Sequence, residues 1–325
     1  MNDNIILMLV TLLISFIITV VIMPFFIPFL RKLKFGQNIR TDGPQSHLAK
    51  QGTPTMGGLV FVIATIMTML LFRSDYLFSE HGIAITIVFI GYFLIGLLDD
   101  LLIVVKKNND GVSPKKKLIL QALVIVALII VFPSLFTNSD MTTVNFFFFE
   151  VNMHQLYAIL ALFMFVAYSN AINFTDGLDG LSSITVAIAL TFMSVIAFVQ
   201  GQVTELVYIG ALIGGLLGFF VFNKRPAKIF MGDTGSLALG GFYAVMALLL
   251  KVELLSIIIG FVFVMEAVSV VIQIVYYKKT KKRFFRMAPI HHHFEMGNLK
   301  ESGTVLLFYL FGFIFGLIGM VIYFV

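Results

Sequence analysis

The sequence predicts an all-α integral membrane protein of ten transmembrane helices. Hydrophobic residues make up 59% of the 325-residue chain and charged residues only 12%, against about 25% charged in a soluble domain. Apolar runs long enough to span a bilayer recur between short polar breaks. Of the 22 lysines and arginines, 20 fall in alternate breaks, the asymmetry that the positive-inside rule describes.

The spans follow in order. The first, 4–30, starts without a basic n-region or a small-residue cleavage motif, so it reads as a retained helix rather than a signal peptide. Span 56–72 is short. Span 82–105 carries Asp99 and Asp100 inside the run IGLLDDLLIVV. Spans 118–136, 153–172, 180–200 and 204–222 come next. Spans 234–250 and 252–277 are separated only near Lys251. The last is 303–325. Segment 142–151, TTVNFFFFEV, reads as a small β-hairpin outside the bundle. No hydrophilic stretch is long enough for a soluble domain, so 1–325 reads as a single polytopic membrane domain. The chain has no cysteine, which excludes disulfides and thiolate metal sites.

Charge orients the bundle. One set of loops holds Arg31, Lys32, Lys34, Arg40 and Lys50, then Lys106, Lys107 and Lys115 to Lys117. It continues with Lys224, Arg225 and Lys228, and with Lys278, Lys279, Lys281, Lys282, Arg283, Arg286 and Lys300. The other set holds only Arg73 and Lys251. The first set is expected in the cytoplasm and both termini outside. Topology and anionic lipid thus account for the +5 net charge better than nucleic acid does.

Each aspartate of the DD pair would cost roughly 2.5–3.5 kcal/mol at the centre of a membrane helix. The run from Gly82 to Leu98 covers roughly 25 Å at 1.5 Å per residue, so the pair belongs near the cytoplasmic end. NFTDGLDG (173–180) brings Asp176 and Asp179 to the same border, and FMGDTGS (230–236) brings Asp233. A lone border aspartate is as readily a helix cap as a site, and Asp233 before Thr-Gly-Ser suits a cap. Five converging on one side need cations, either Mg²⁺ or the basic loops. Asn170, Asn173, Asp176 and Asp179 recur every three residues, as neighbours on a helix do. The glycines of this loop, of MGDTGS and of GTPTMGG (52–58, beside Lys50) suit close approach by a phosphate.

APIHHHFE (288–295) adds three consecutive histidines. Adjacent helical residues point about 100° apart, so the triplet favours polar or phosphate binding over a structural role, and both over metal ligation. Glu266 is an intramembrane carboxylate, a functional candidate by default, equally accounted for by protonation or pairing. The run KKTKKRFFR (278–286) reads as a solvated, lipid-facing basic segment.

Together, KQGTPTMGG (50–58), GLLDD (96–100), NAINFTDGLDGL (170–181), NKRPAKIFMGDTGS (223–236) and APIHHHFE resemble the phospho-N-acetylmuramoyl-pentapeptide-transferases over nearly the whole chain. The DD and DGLDG motifs are shared with the wider polyprenyl-phosphate N-acetylhexosamine-1-phosphate transferases. The resemblance implies transfer of phospho-MurNAc-pentapeptide from UDP-MurNAc-pentapeptide to undecaprenyl phosphate, giving lipid I and UMP with Mg²⁺. It implies a ten-helix fold, an active site at the cytoplasmic face of the bacterial cell membrane, and a homodimer. By position, Asp233 matches the Mg²⁺ ligand and Asp99 and Asp100 the catalytic pair. Asn173, Asp176 and Asp179 match the active-site loop, while Asn223, Phe230 and Gln273 match positions lining the uridine pocket. His291 and His292 match a catalytic and a nucleotide-side histidine, and Lys50 and Thr55 a further polar site. Direct displacement is the expected route, with Asp99 on the acceptor phosphate and Asp100 on the metal-diphosphate side. The competing route passes through an aspartyl-phosphate on Asp100.

Three other classes stand against this reading. A UDP-GlcNAc transferase is disfavoured by the histidine triplet. A cation-coupled transporter would place its carboxylates nearer the midplane, often with inverted repeats. A membrane scaffold leaves the five aspartates unexplained.

Overall fold

The computed structural model describes residues 2–33, 50–106, 111–147, 149–297 and 299–325. Lys34, Arg40 and Lys107 of the basic loops lie outside the described residues. Helices α1 (Asn2–Lys32), α2 (Gly58–Phe72), α3 (Ser74–Leu77), α4 (Glu80–Lys106) and α5 (Pro114–Val131) come first. Two short helices, α6 (Ser134–Thr137) and α7 (Ser139–Thr142), lead to strands β1 (Thr143–Asn145) and β2 (Glu150–Asn152). Then follow α8 (Leu156–Thr175), α9 (Leu181–Gln200), α10 (Val203–Asn223) and α11 (Asp233–Leu249). The chain closes with α12 (Leu255–Ile259), α13 (Phe261–Thr280), α14 (Ile290–Glu295) and α15 (Glu301–Phe324).

Each of the ten expected spans corresponds to one helix of 15 residues or more. Among the described residues, seven helices are long and apolar enough to cross a membrane: α1, α4, α8, α9, α10, α13 and α15. This is a multi-pass membrane protein. The other three fall short for distinct reasons. Helices α2 and α11 have 15 and 17 residues, and α5 opens on three lysines. Two span boundaries need correction. The run 252–277 breaks at Gly260 into α12 and α13, and the run 118–136 ends at Val131 before α6. The hairpin expected at 142–151 forms, with β1 antiparallel to β2 and Val144 opposite Val151.

Helix α11 is the centre of the bundle. Every residue from Thr234 to Leu249 is buried, and α11 packs on α4, α8 and α2. A helix apolar all round needs such enclosure. Helix α1 lies against α10 instead, with Leu13, Ile17 and Phe25 turned outward and exposed. Their contact depends on Gly210, Gly214 and Gly218, one small residue per turn of α10, a spacing that lets membrane helices approach closely. Thr11 of α1 reaches across to donate to the Val207 carbonyl at 3.2 Å.

The chain direction then assigns the ends. The end of α4, the start of α5, the end of α8 and the start of α11 share one end of the bundle. The hairpin, between α5 and α8, sits at the other.

A Cβ at Gly214 would stand 2.0 Å from the Leu12 carbonyl oxygen. Gly214→Ala is therefore expected to separate α1 from α10 and to destabilise by about 1–3 kcal/mol, read as a lower unfolding temperature in detergent. An unchanged midpoint would show that the contact does not hold α1.

Candidate active site

The site grows from the start of α11. The first N–H groups of a helix have no partner within it, and here Asp100 of α4 supplies the missing acceptors. Its Oδ1 accepts from the Asp233 N–H at 3.2 Å. Its Oδ2 accepts from the Thr234 N–H at 3.0 Å and from the Thr234 hydroxyl at 2.6 Å. A carboxylate beside a helix N-terminus is also favoured by the helix dipole. Gly232 makes the fit possible. Its φ is +74°, and a Cβ there would lie 2.4 Å from Asp100 Oδ2.

Asp233 does not cap its own helix. Its side chain points out of the turn, where Asn173 Nδ2 of α8 donates to Oδ1 at 2.7 Å. The same Asn173 amide donates to the Ser236 hydroxyl at 2.8 Å. Lys117 of α5 completes the group. Its ammonium lies 2.6 Å from Asp233 Oδ2 and 3.1 Å from Asp99 Oδ1. Asp99 also accepts from the Val112 N–H at 2.7 Å. Of the three carboxylates, Asp233 is the open one, with its side chain 23% exposed against 6% for Asp99.

Asp176 follows the end of α8. Burial raises its carboxyl well above the ordinary carboxylate range, helped by the charges of Asp233, Asp100 and Asp179. The Asp179 carboxylate instead finds a cation, with Lys50 Nζ 2.7 Å from its Oδ1. Asn223 braces the same turn: its Oδ1 accepts from the Gly180 N–H at 3.0 Å, and its Nδ2 donates to the Ile229 carbonyl at 2.9 Å. Two motif loops pair by backbone. Phe230 N–H donates to the Pro54 carbonyl at 2.8 Å, Gly57 N–H to the Phe230 carbonyl at 2.8 Å, and Gly58 N–H to the Met231 carbonyl at 2.9 Å. This places Thr55, itself buried, against Gly232.

The three histidines turn to three partners. His291 is fully buried, its Nδ1 3.0 Å from Glu266 Oε1. Its Nε2 has no hydrogen-bond partner among the described residues and lies under Gly177 of the aspartate loop. His292 Nδ1 lies 3.2 Å from Glu295 Oε2. His293 Nδ1 accepts from the Arg286 N–H at 3.1 Å. Gln273 stands apart from the aspartates in its bonding. Its Oε1 accepts from the N–H groups of Phe284 and Phe285, at 3.2 and 2.9 Å.

Three residues outside the candidate set proved central: Lys117, Glu266 and Glu301. Lys117 was visible only as one of many border lysines. Glu266 stood out as an intramembrane acid without a partner in view. Glu301 carried no signal in the sequence. Among the described residues no three His, Asp or Glu side chains form a metal cage. Asp233 with neighbouring Asp99 offers hard oxygen donors that attract a cation, and Lys117 occupies that place. Mg²⁺ suits one or two carboxylates completed by substrate phosphates, so the donor chemistry fits that ion.

Asp100→Ala strips the acceptor from three donors, each worth about 1–3 kcal/mol when left unsatisfied. Unfolding temperature is expected to fall in the order wild type, Asp100→Asn, Asp100→Ala. Equal midpoints for Ala and wild type would remove Asp100 from the capping role.

Comparison with known proteins gives the same reading. The glycosyl transferase family 4 model matches residues 82–251. A phospho-N-acetylmuramoyl-pentapeptide-transferase signature matches residues 50–62. The chain is 46% identical over 305 residues to the phospho-N-acetylmuramoyl-pentapeptide-transferase of Bacillus cytotoxicus (strain DSM 22905 / CIP 110041 / 391-98 / NVH 391-98), covering 92% of each chain. It is 47% identical over 305 residues to the proteins of that name from Bacillus thuringiensis (strain Al Hakam) and Bacillus cereus (strain AH187), again covering 92% of each. With its DD pair, its DGLDG loop and its MGDTGS helix start gathered at one end of the bundle, the chain belongs to the phospho-N-acetylmuramoyl-pentapeptide-transferase family.

Proposed function

We propose that the protein transfers phospho-MurNAc-pentapeptide from UDP-MurNAc-pentapeptide to undecaprenyl phosphate, giving lipid I and UMP. One observation carries the reading beyond the family name. Asp99 and Asp233 are drawn together by Lys117 at one end of an apolar bundle. A lipid phosphate and a water-soluble nucleotide can meet only at such a border. The asymmetry of 20 basic residues against two supports ten crossings, both termini outside and the site at the cytoplasmic face. The family resemblance extends to a homodimer.

Phosphoryl transfer depends on neutralised charge and in-line placement more than on covalent help. Asp233 is the residue to hold Mg²⁺, with Asp99 beside it. The ion, when bound, supplies charge stabilisation to the donor diphosphate and the departing UMP. Asn173 orients Asp233 through its amide. Lys117 is the cation that must leave Asp233, and it remains close enough to meet a phosphate oxygen. A phosphate monoester has a second pKa near about 6, so the lipid acceptor is largely dianionic and needs little activation. Asp99 takes a residual proton or orients that acceptor. The two oxygens of Asp100 are engaged by the start of α11. This supports direct displacement over attack by Asp100, and it supports a scaffolding role for Asp100 rather than one on the diphosphate. Lys50, Asp176 and Phe230 form the wall on which the nucleotide sugar lies, braced from within by the buried Asp179, Thr55 and Asn223, with His291 beneath the loop. Gln273 and His292 are assigned to the nucleotide side by resemblance alone.

UMP release from UDP-MurNAc-pentapeptide, with Mg²⁺ titrated, tests the reading. Asp233→Asn and Asp99→Asn are each expected to lower kcat by about 10²-fold or more, and UDP-GlcNAc is expected to be a poor donor. Full activity in both variants would break the site assignment. Incubation with phosphate-labelled donor and no lipid acceptor is expected to leave the protein unlabelled. A trapped phospho-enzyme would overturn direct displacement.

A further inference from the structure

Glu301 opens α15 and belongs to none of the motifs, yet three motif loops meet on it. Its Oε1 accepts from Lys50 Nζ at 2.6 Å and from the Asp179 N–H at 3.2 Å. Its Oε2 faces Arg225 Nη1 at 3.5 Å. The Asp179 carboxylate closes the circle, with Oδ1 2.7 Å from Lys50 Nζ and Oδ2 accepting from the Ala227 N–H at 3.0 Å. Two turns along α15, the Tyr309 hydroxyl donates to the Gly180 carbonyl at 2.8 Å. Helix α15 therefore grips the Asp179–Gly180 turn at two points.

The exposures differ in a telling way. The Glu301 and Asp179 side chains are 3% and 2% exposed, Lys50 is 16% and Arg225 is 47%. The acids are sealed in and the cations reach outward. Among the described residues two carboxylates balance two cations, so this group of four carries no net charge. Without the Glu301 charge, Lys50 and Arg225 would outnumber Asp179.

We propose that Glu301 is a positioning residue for the transfer reaction, fixing Lys50, Arg225 and the Asp179 turn against one another and masking part of the positive charge that the two cations turn toward the anionic donor. The proposal rests on the transferase reading above. It assigns Glu301 two effects of opposite sign on an anionic substrate. Its charge offsets the cations and weakens anion binding. Its grip holds them where transfer needs them.

Glu301→Gln keeps an acceptor of the same shape and removes the charge. The kcat for UMP release is expected to fall about tenfold or more, as for loss of one charge-assisted contact, with KM for UDP-MurNAc-pentapeptide no higher than wild type. A residue that merely supports the fold would raise KM together with a lower unfolding temperature. Arg225→Gln, an exposed substitution, is expected to raise that KM, because the cluster then carries a net negative charge. Adding Glu301→Gln to it should bring KM back down. An unchanged kcat or a raised KM in Glu301→Gln would overturn the proposal, as would an unchanged KM in Arg225→Gln. If Glu301→Gln does not yield folded protein, the Arg225→Gln measurement decides. Wild-type protein that released no UMP from this donor would instead defeat the transferase reading.

Discussion

The bond between the Asp100 carboxylate and the start of α11 is the constraint on which the other contacts hang. A carboxylate shut inside an apolar bundle costs far more than it returns unless donors surround it. A helix N-terminus has the complementary need, donors without acceptors. Each resolves the other, and three hydrogen bonds lock α4 to α11. Because α11 is the enclosed helix, its start is then fixed relative to the whole bundle. The side chain of Asp233 is thereby freed from capping and held at the open edge. Asp99, one residue before Asp100, faces another way and meets α5 through Lys117.

The same end of the molecule solves a second problem, that of keeping five aspartates together before any substrate arrives. Like charges at this density repel and favour protonation. The protein answers with internal cations. Lys117 bridges Asp99 and Asp233, and Lys50 bridges Asp179 and Glu301. Asp176 has neither, and burial, then the charges of Asp233, Asp100 and Asp179, push its carboxyl up. Both lysines arise from the polar breaks between spans, so basic residues of the loops also neutralise the aspartates. Both reach the surface in part.

Much of this was legible in the sequence because its signal is local. Span length and apolar composition report helices directly, and alternation of basic loops places their ends. That places the five aspartates at one end with no tertiary information. The hairpin at 143–152 announced itself by composition. What stayed hidden were choices of partner. Nothing near Lys117 marks it out from Lys115 and Lys116, since only the packing of α5 decides which lysine faces Asp233. Glu301 reads as an ordinary first-turn acid. Glu266 could be suspected but not paired, because His291 lies 25 residues away beyond a loop. The break at Gly260 was hidden too, because the residues on either side are uniformly apolar.

The division of labour within the DD pair shows most plainly how packing overrules reading. From sequence, two adjacent acids are alike, and the step of about 100° between them says only that their roles differ. The family resemblance sends both to substrate beside Asp233 as the metal ligand, while a helix cap is the plainer reading of Asp233 by itself. The structure gives the capping bonds to Asp100. Asp100 caps a helix that is not its own, and Asp233, inside that helix's first turn, is left available. This has a physical logic. A cap drawn from within α11 would consume the more open carboxylate. Drawing it from α4 spends a buried acid on structure and leaves a partly exposed one unused by the helix. Asp99 then stands between these roles, tied to Lys117 on one side and to the Val112 N–H on the other. Only movement of Lys117 would free that oxygen of Asp99 from its cation.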